Sequence, residues 1–301
     1  FGEDIDLTIY RSVQEGLTNA MRHGTPTHVS IHLAVEETPA GPSIRLRITD
    51  NGSGISETAA VGFGLSGMRE RVRAIAGGLA GTHVCMPLQG CGHFIVEAAL
   101  RTFVPPGAKV LIPSNGNYGV RMIRLAREAG RVPVVLEIAE GEAVTAEAVA
   151  AALAADPAIR VVSVVHSETA TALINPIEAI AAAVRDAGRR LIVDAVSGFG
   201  AIPFDLASHP ETDAIVFSSN KCLEAMPGLG FAVARIDRLE ECAGNAGSWS
   251  FDLSDVYRHA LTYGWGSIRF TPSIQALAAF DVALDIFEAE GGQPARLAVN
   301  L

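Results

Sequence analysis

Between residues 109 and 236 the chain alternates short β-branched runs with alanine-rich stretches, and this rhythm narrows the possible folds more than any other feature. The runs are KVLIP (109–113), VPVVLEI (132–138), RVVSVVH (160–166) and RLIVDAV (190–196), followed by DAIVFSS (213–219) and GFAVARI (230–236). Helices are predicted near 117–129, 144–154 and 176–187, with a longer one at about 272–290. Strands this uniformly apolar have no wet face, so they predict a mostly parallel sheet covered by helices on both sides. The predicted fold class is α/β.

The opening follows another plan. Ile5, Ile9, Val13, Leu17 and Met21 fall four apart, which predicts an amphipathic helix over 5–23 that stops at Gly24. Two alternating runs start at Thr27 and Ser43 and flank a polar turn region, EETPAGP (36–42), which predicts a hairpin. A further helix is predicted from about Ser66 to Ala76, and the chain is read as two domains, 1–77 and 78–301.

Charge excludes some functions. With 33 acidic against 23 basic residues and a net charge of −10, and with no basic run, the chain is unsuited to nucleic acid. No apolar stretch reaches the roughly 18 residues of a membrane span, and the acidic start (Glu3, Asp4) is unlike a signal peptide, so a cytoplasmic protein is expected. Cys85, Cys91, Cys222 and Cys242 form no CxxC and no zinc spacing; they are expected as reduced thiols in or near the core.

Only two of the basic residues are lysines, so any chemistry that needs a primary amine has two candidates. Lys221 follows the strand DAIVFSS, at the carboxyl end where open α/β sheets place ligands. Lys109 instead opens a strand behind Pro105-Pro106-Gly107, where a solvated amine is expected. Asp194 ends the apolar run RLIVDAV, and a carboxylate buried there needs a partner; the plainer reading is a cap on the next turn. Gly90, Cys91, Gly92 and His93 precede an apolar helix expected to begin near Phe94, whose first N–H groups suit a phosphate. Tyr118 is either a stacking aromatic or ordinary packing.

QEGLTNAMRHG, DNGSGI and GFGLSGMRERV, in that order, resemble the N, G1 and G2 boxes of sensor histidine kinase ATP-binding domains in the GHKL superfamily. The resemblance implies a partial GHKL α/β sandwich that binds ATP with Mg²⁺. By it, Asn19 is a metal ligand, Glu15 polarises nearby water or metal, and Asp50 accepts from the adenine amino group. Gly52, Gly54, Gly62 and Gly64 would let backbone approach the nucleotide. With no phosphoacceptor helix before it and no closing strands after it, a complete kinase is not expected.

From about Ile75 onward the blocks VLIPSNGNYGVRM, HSETATALINP, VDAVSGFGAIPFD, SSNKCLEAMPGLGFA and IRFTPSIQALAAF resemble the 2-aminoethylphosphonate:pyruvate transaminases, a family of class V aminotransferases with the type I pyridoxal-phosphate fold. This resemblance implies that Lys221 carries pyridoxal 5'-phosphate and that Asp194 bonds its ring nitrogen. It places Gly90, Cys91, Gly92, His93 and Asn220 at the phosphate, Tyr118 on the ring and Thr169 at the ring hydroxyl. Thr271 would reach the phosphate of a partner subunit, which implies a homodimer, and the small-molecule partners are an amino donor and pyruvate. The chain departs from the family in His93, where threonine is usual and alanine–glyoxylate aminotransferases are closer, and in Ala172, where glycine is usual. It ends before the small domain that supplies the family's substrate-binding arginine. The two resemblances meet within RVRAIAGGLAG (71–81). Three readings follow: a transaminase, an ATP-binding signalling module on a passive scaffold, and an inactive fusion.

Overall fold

The computed structural model describes residues 26–38, 41–52 and 64–300, together with helical positions Ile9, Val13, Gly16, Leu17 and Ala20. It divides into two compact units, Phe1–Val61 and Gly62–Leu301.

In the first unit, β1 (Val29–Thr38) and β2 (Gly41–Asp50) pair antiparallel. Ile31, Leu33 and Val35 stand opposite Ile48, Leu46 and Ile44, which gives the hairpin one apolar face. A Cβ on Gly16 would lie 2.5 Å from Ile48 Cδ1, so the helical segment meets this face where glycine makes room. The turn is tighter than the polar run at 36–42 suggested. Pairing continues to Thr38 and Gly41, so most of the polar run belongs to the two strands.

The second unit begins with α1 (Leu65–Ile75), the helix read from the third kinase-like box. Its Met68 and Val72 join the core on one face of the main sheet. That sheet has seven strands in the order β3-β11-β10-β9-β6-β4-β5. They are β3 (His83–Gln89), β4 (Lys109–Ser114), β5 (Val132–Glu137), β6 (Val161–Val165), β9 (Arg190–Asp194), β10 (Thr212–Ser218) and β11 (Leu229–Arg235). Strands β5, β4, β6, β9 and β10 run parallel, and β11 is antiparallel to both its neighbours. A two-stranded ribbon, β7 (Ser167–Glu168) with β8 (Leu173–Ile174), stands apart.

Period-two alternation sorts the sheet's side chains. Ile215 and Phe217 of β10 face one core, Ala214 and Val216 the other. On the first face Phe199, Phe217, Phe231 and Phe280 stack in succession, with centroids 3.6, 5.2 and 4.6 Å apart. Phe280 is supplied by α8 (Ile274–Ala289), whose Asp285 and Glu288 hold Arg71 of α1 at 2.8 and 2.7 Å. α4 (Ala146–Ala155) and α5 (Ile177–Asp186) also cover that face, and on the second lie α2 (Gly92–Phe103) and α3 (Asn117–Glu128), with Ile95, Phe103 and Met122 buried.

Several expectations are corrected. β3 was not predicted, because HVCMPLQ is buried along most of its length and shows no alternation; its Pro87 is tolerated at the edge of the sheet. Helix α2 starts at Gly92, two residues before Phe94, so His93 lies inside it. The shorter helices α6 (Ile236–Glu241), α7 (Leu253–Tyr263) and α9 (Gly292–Asn300) were also not predicted. Cys85 and Cys242 are buried and Cys222 is half-buried, but Cys91 is exposed at the start of α2. Among the described residues no helix is long and apolar enough to cross a membrane, and no cluster of His, Cys, Asp or Glu suits a metal ion.

Candidate functional site

Asp194 is the last residue of β9, and its register partner on the parallel neighbour β10 is Val216. The β10 chain runs on past Ser218 to an exposed Asn220 and a half-buried Lys221, at the same carboxyl edge of the sheet. A tight turn positions the lysine. Glu224 N–H donates to the Lys221 carbonyl at 2.8 Å, Ser219 Oγ donates to the Met226 carbonyl at 2.7 Å, and Glu224 takes a positive φ of 55°. The other amine is engaged elsewhere: Lys109, where β4 begins, pairs with Asp156 at 2.6 Å.

The Asp194 carboxylate is buried, and its Oδ1 accepts Val196 N–H at 3.0 Å. Burial pushes its pKa up to about 6, against the opposing pull of that N–H and of Arg121, while the charge of Glu168 adds to the rise. The loop behind Asp194 joins other parts of the site. Ser197 Oγ is hydrogen-bonded to Thr169 Oγ1, and the Ser197 carbonyl accepts the thiol of Cys222, next to Lys221, at 3.0 Å.

The first turn of α2 leans on the same loop. A Cβ on Gly92 would sit 2.7 Å from Val196 Cγ1, so the missing side chain lets the helix start approach the residues following Asp194. Gly90 N–H donates to the Gly228 carbonyl at 2.8 Å with φ at 134°, and a Cβ there would strike Phe94. Cys91 caps the helix and His93 is half-buried in its first turn, where N–H groups lack helical partners.

Tyr118, in the first turn of α3, carries the Arg121 guanidinium 4.3 Å above its ring. Asn117, Tyr118, Arg121, Thr169 and Ala170 line a cavity of about 330 Å³. Thr271 is exposed in the segment before α8 and does not line that cavity. The structure adds three residues that sequence reasoning did not single out: Glu168, Ser197 and Arg121. Glu168 is buried, and its Oε2 accepts the N–H groups of Tyr118 at 3.0 Å and Gly119 at 3.4 Å. The signal for it was an acidic residue just after the apolar strand RVVSVVH. Arg121 was signalled by its position one helical turn after Tyr118. Ser197 left no signal.

In the first unit Asp50 is exposed, and its Oδ1 accepts Gly52 N–H at 2.8 Å. Asn51 ties this strand end back to the start of β1, its Oδ1 accepting Thr27 and His28 N–H at 3.0 and 2.8 Å. Gly64 precedes α1 with φ at 105° in the second unit. Glu15, Asn19, Gly54 and Gly62 lie outside the described residues.

Residues 57–295 match the family model for aminotransferase class-V. Residues 5–96 match that for the histidine kinase-, DNA gyrase B- and HSP90-like ATPases, so the two spans overlap. A 2-aminoethylphosphonate–pyruvate transaminase of Burkholderia ambifaria is 49% identical over 214 residues, covering 71% of this chain and 57% of the relative. One from Pseudomonas aeruginosa is 48% identical over 227 residues, covering 75% and 60%. The chain thus spans less than two thirds of the length of these relatives. Among solved structures, pyridoxamine-pyruvate aminotransferase from Mesorhizobium loti is 30% identical with a TM-score of 0.69, covering 78% of this chain and 59% of its own. An alanine–glyoxylate aminotransferase from Nostoc shares the fold at 23% identity and a TM-score of 0.68, over 77% of this chain and 60% of its own.

Proposed function

The chain belongs to the class-V aminotransferases, and from that premise we propose that it is a pyridoxal-phosphate-dependent transaminase that converts 2-aminoethylphosphonate and pyruvate to phosphonoacetaldehyde and alanine. The observation that carries this reading is the placement of Lys221 and Asp194 at the carboxyl ends of neighbouring parallel strands, with the other lysine held in an ion pair. The residues present fit the cofactor. An amine, a buried carboxylate, an aromatic face and a helix start free of side-chain bulk at Gly92 gather at one edge of the sheet, beside a cavity large enough for a small ligand.

When bound, the cofactor supplies an electron sink for the carbon that bears the substrate nitrogen. Lys221 Nζ would hold it, and the same amine would move a proton between the carbon that bears the substrate nitrogen and the cofactor, in opposite senses in the two half-reactions. Asp194 keeps the ring nitrogen protonated, and a carboxylate in so dry a place gains from the cationic partner. The N–H groups from Gly90 to His93, with Asn220, hold the phosphate. Tyr118 packs against the ring, Thr169 reaches its hydroxyl, and Thr271 serves the site of a second subunit in a homodimer. The named relatives support the phosphonate substrate.

The test is direct. Protein supplied with pyridoxal phosphate is expected to absorb visible light, borohydride to fix the cofactor on Lys221, and Lys221→Ala to remain colourless. Colourless wild-type protein in excess cofactor overturns the proposal.

For the first unit, the match over residues 5–96 and the position of Asp50 at a strand end support binding of ATP with Mg²⁺. Asp50→Ala is expected to weaken binding of a labelled ATP analogue; equal affinities remove this second reading.

A further inference from the structure

Ser197, in the turn after β9, bonds to two other segments of the chain. Its Oγ is hydrogen-bonded to Thr169 Oγ1, and its carbonyl accepts the Cys222 thiol at 3.0 Å. The turn itself is held from several directions. Val196 N–H donates to Asp194 Oδ1 at 3.0 Å, Gly198 and Phe199 N–H donate to the Ala195 carbonyl at 3.1 and 2.9 Å, and the Phe199 ring stacks on Phe217 of β10 at 3.6 Å. Gly200, with φ at 89°, packs against the residue after Cys222, since a Cβ there would lie 2.7 Å from Leu223 Cδ2. Ser197 Oγ therefore projects from a backbone with little freedom.

Thr169 is fixed from its own side. The chain there folds over Glu168: Ala170 N–H donates to Glu168 Oε1 at 3.4 Å and Thr171 N–H to the Glu168 carbonyl at 3.2 Å. Thr169 is exposed and lines the cavity beside Tyr118, whereas Ser197 is not among the lining residues, so Ser197 reaches a ligand in that cavity only through Thr169. A hydroxyl carries one proton and two lone pairs. If Ser197 donates to Thr169 Oγ1, the Thr169 proton is left for the cavity, and the accepted bond makes it a stronger donor. If Thr169 donates instead, its proton is spent and the cavity receives only a lone pair. An anionic oxygen in the cavity selects the first arrangement, because it needs a proton to face it.

We propose that Ser197 is a positioning residue that donates its hydroxyl proton to Thr169 Oγ1 and so makes the Thr169 hydroxyl the donor to the cofactor's ring oxygen. The proposal rests on the role given to Thr169 above and adds a residue that touches neither cofactor nor substrate. Its consequence is electronic. A donor on the ring oxygen takes up part of that oxygen's negative charge, and this lowers the basicity of the nitrogen that joins Lys221 to the cofactor. Without Ser197 Oγ, the Thr169 hydroxyl loses both its orientation and this strengthening.

The test follows the visible absorbance of protein loaded with pyridoxal phosphate as a function of pH, in the wild type, Ser197→Ala, Thr169→Val and the double variant. Thr169→Val is expected to move the midpoint up by about one pH unit and Ser197→Ala by about half as much, the scale of one hydrogen bond. Asp194, Glu168 and Arg121, whose charges interact here, are the same in all four proteins. In the double variant the loss of Ser197 Oγ should add nothing to the loss of Thr169, since the one acts through the other. Titration of cofactor-free protein gives a second readout: the pyridoxal phosphate concentration for half-saturation should rise about threefold in Ser197→Ala, and the same change made in Thr169→Val should leave it where it was. An unchanged midpoint in Ser197→Ala, or a shift that the double variant repeats in full, overturns the proposal while leaving the transaminase reading intact. A coloured protein indifferent to Thr169→Val overturns it together with the role of Thr169, and a colourless wild type overturns the function itself. If Ser197→Ala does not fold, Ser197→Gly, which also lacks the hydroxyl, decides in its place.

Discussion

The buried carboxylate of Glu168 accepts the backbone N–H of Tyr118 at 3.0 Å, so one acidic side chain joins the ribbon strand β7 to the first turn of α3. The fit is close. A Cβ on Gly116 would lie 2.4 Å from Glu168 Cγ, which explains a glycine directly before that helix.

Glu168→Ala leaves the Tyr118 and Gly119 N–H groups without their acceptor, and a loss of about 1–3 kcal/mol is expected from urea unfolding. Gly116→Ala alone should also destabilise, through collision with Glu168. The double variant should lose less than the sum, by about 1 kcal/mol, because shortening Glu168 removes the collision. Strict additivity would show that the two residues do not share this space.

Asp194 makes stability depend on pH. Its folded-state pKa of about 6 stands above the ordinary 3.8. An acid raised on folding favours the fold when protonated, and this contribution is lost as pH rises through roughly 4 to 6. In cofactor-free protein, Asp194→Asn is therefore expected to be more stable than wild type above pH 6, by up to about 3 kcal/mol for a shift of about two units. The gap should close toward pH 4. Urea unfolding of both proteins at stepped pH checks it, and a gap that does not change with pH contradicts it.

Ala172 adopts a positive φ of 53°, a conformation in which a Cβ is strained. Ala172→Gly should raise stability by about 0.5–1 kcal/mol, the relief of strain being partly offset by the greater freedom of glycine in the unfolded chain. Ala172→Val should do the opposite, since β-branching makes the left-handed region worse. Thermal midpoints of the three proteins are the measurement.

Much of the fold was legible because its signals are local. Runs such as RVVSVVH and RLIVDAV are apolar from end to end, and only a sheet covered on both faces gives such strands a place. Lys221 stood out because the chain holds just one other lysine, and the positions of strand ends follow from where the apolar runs stop. β3 escaped because strands β11 and β3 pair across more than a hundred residues, and a short buried run with a proline carries no periodicity of its own.

The amino-acid order by itself determined which segments become strands and helices, and which lysine sits where a parallel sheet opens. Only the tertiary structure decided that Glu168 would hold the start of α3, that Ser197 would link Thr169 to Cys222, and that Arg69 would be buried with two side-chain nitrogens lacking a hydrogen-bond partner among the described residues. The physical reason is range. Hydrophobic period and strand-end position are set within about ten residues, whereas hydrogen-bond satisfaction and charge balance depend on side chains brought together from distant parts of the chain.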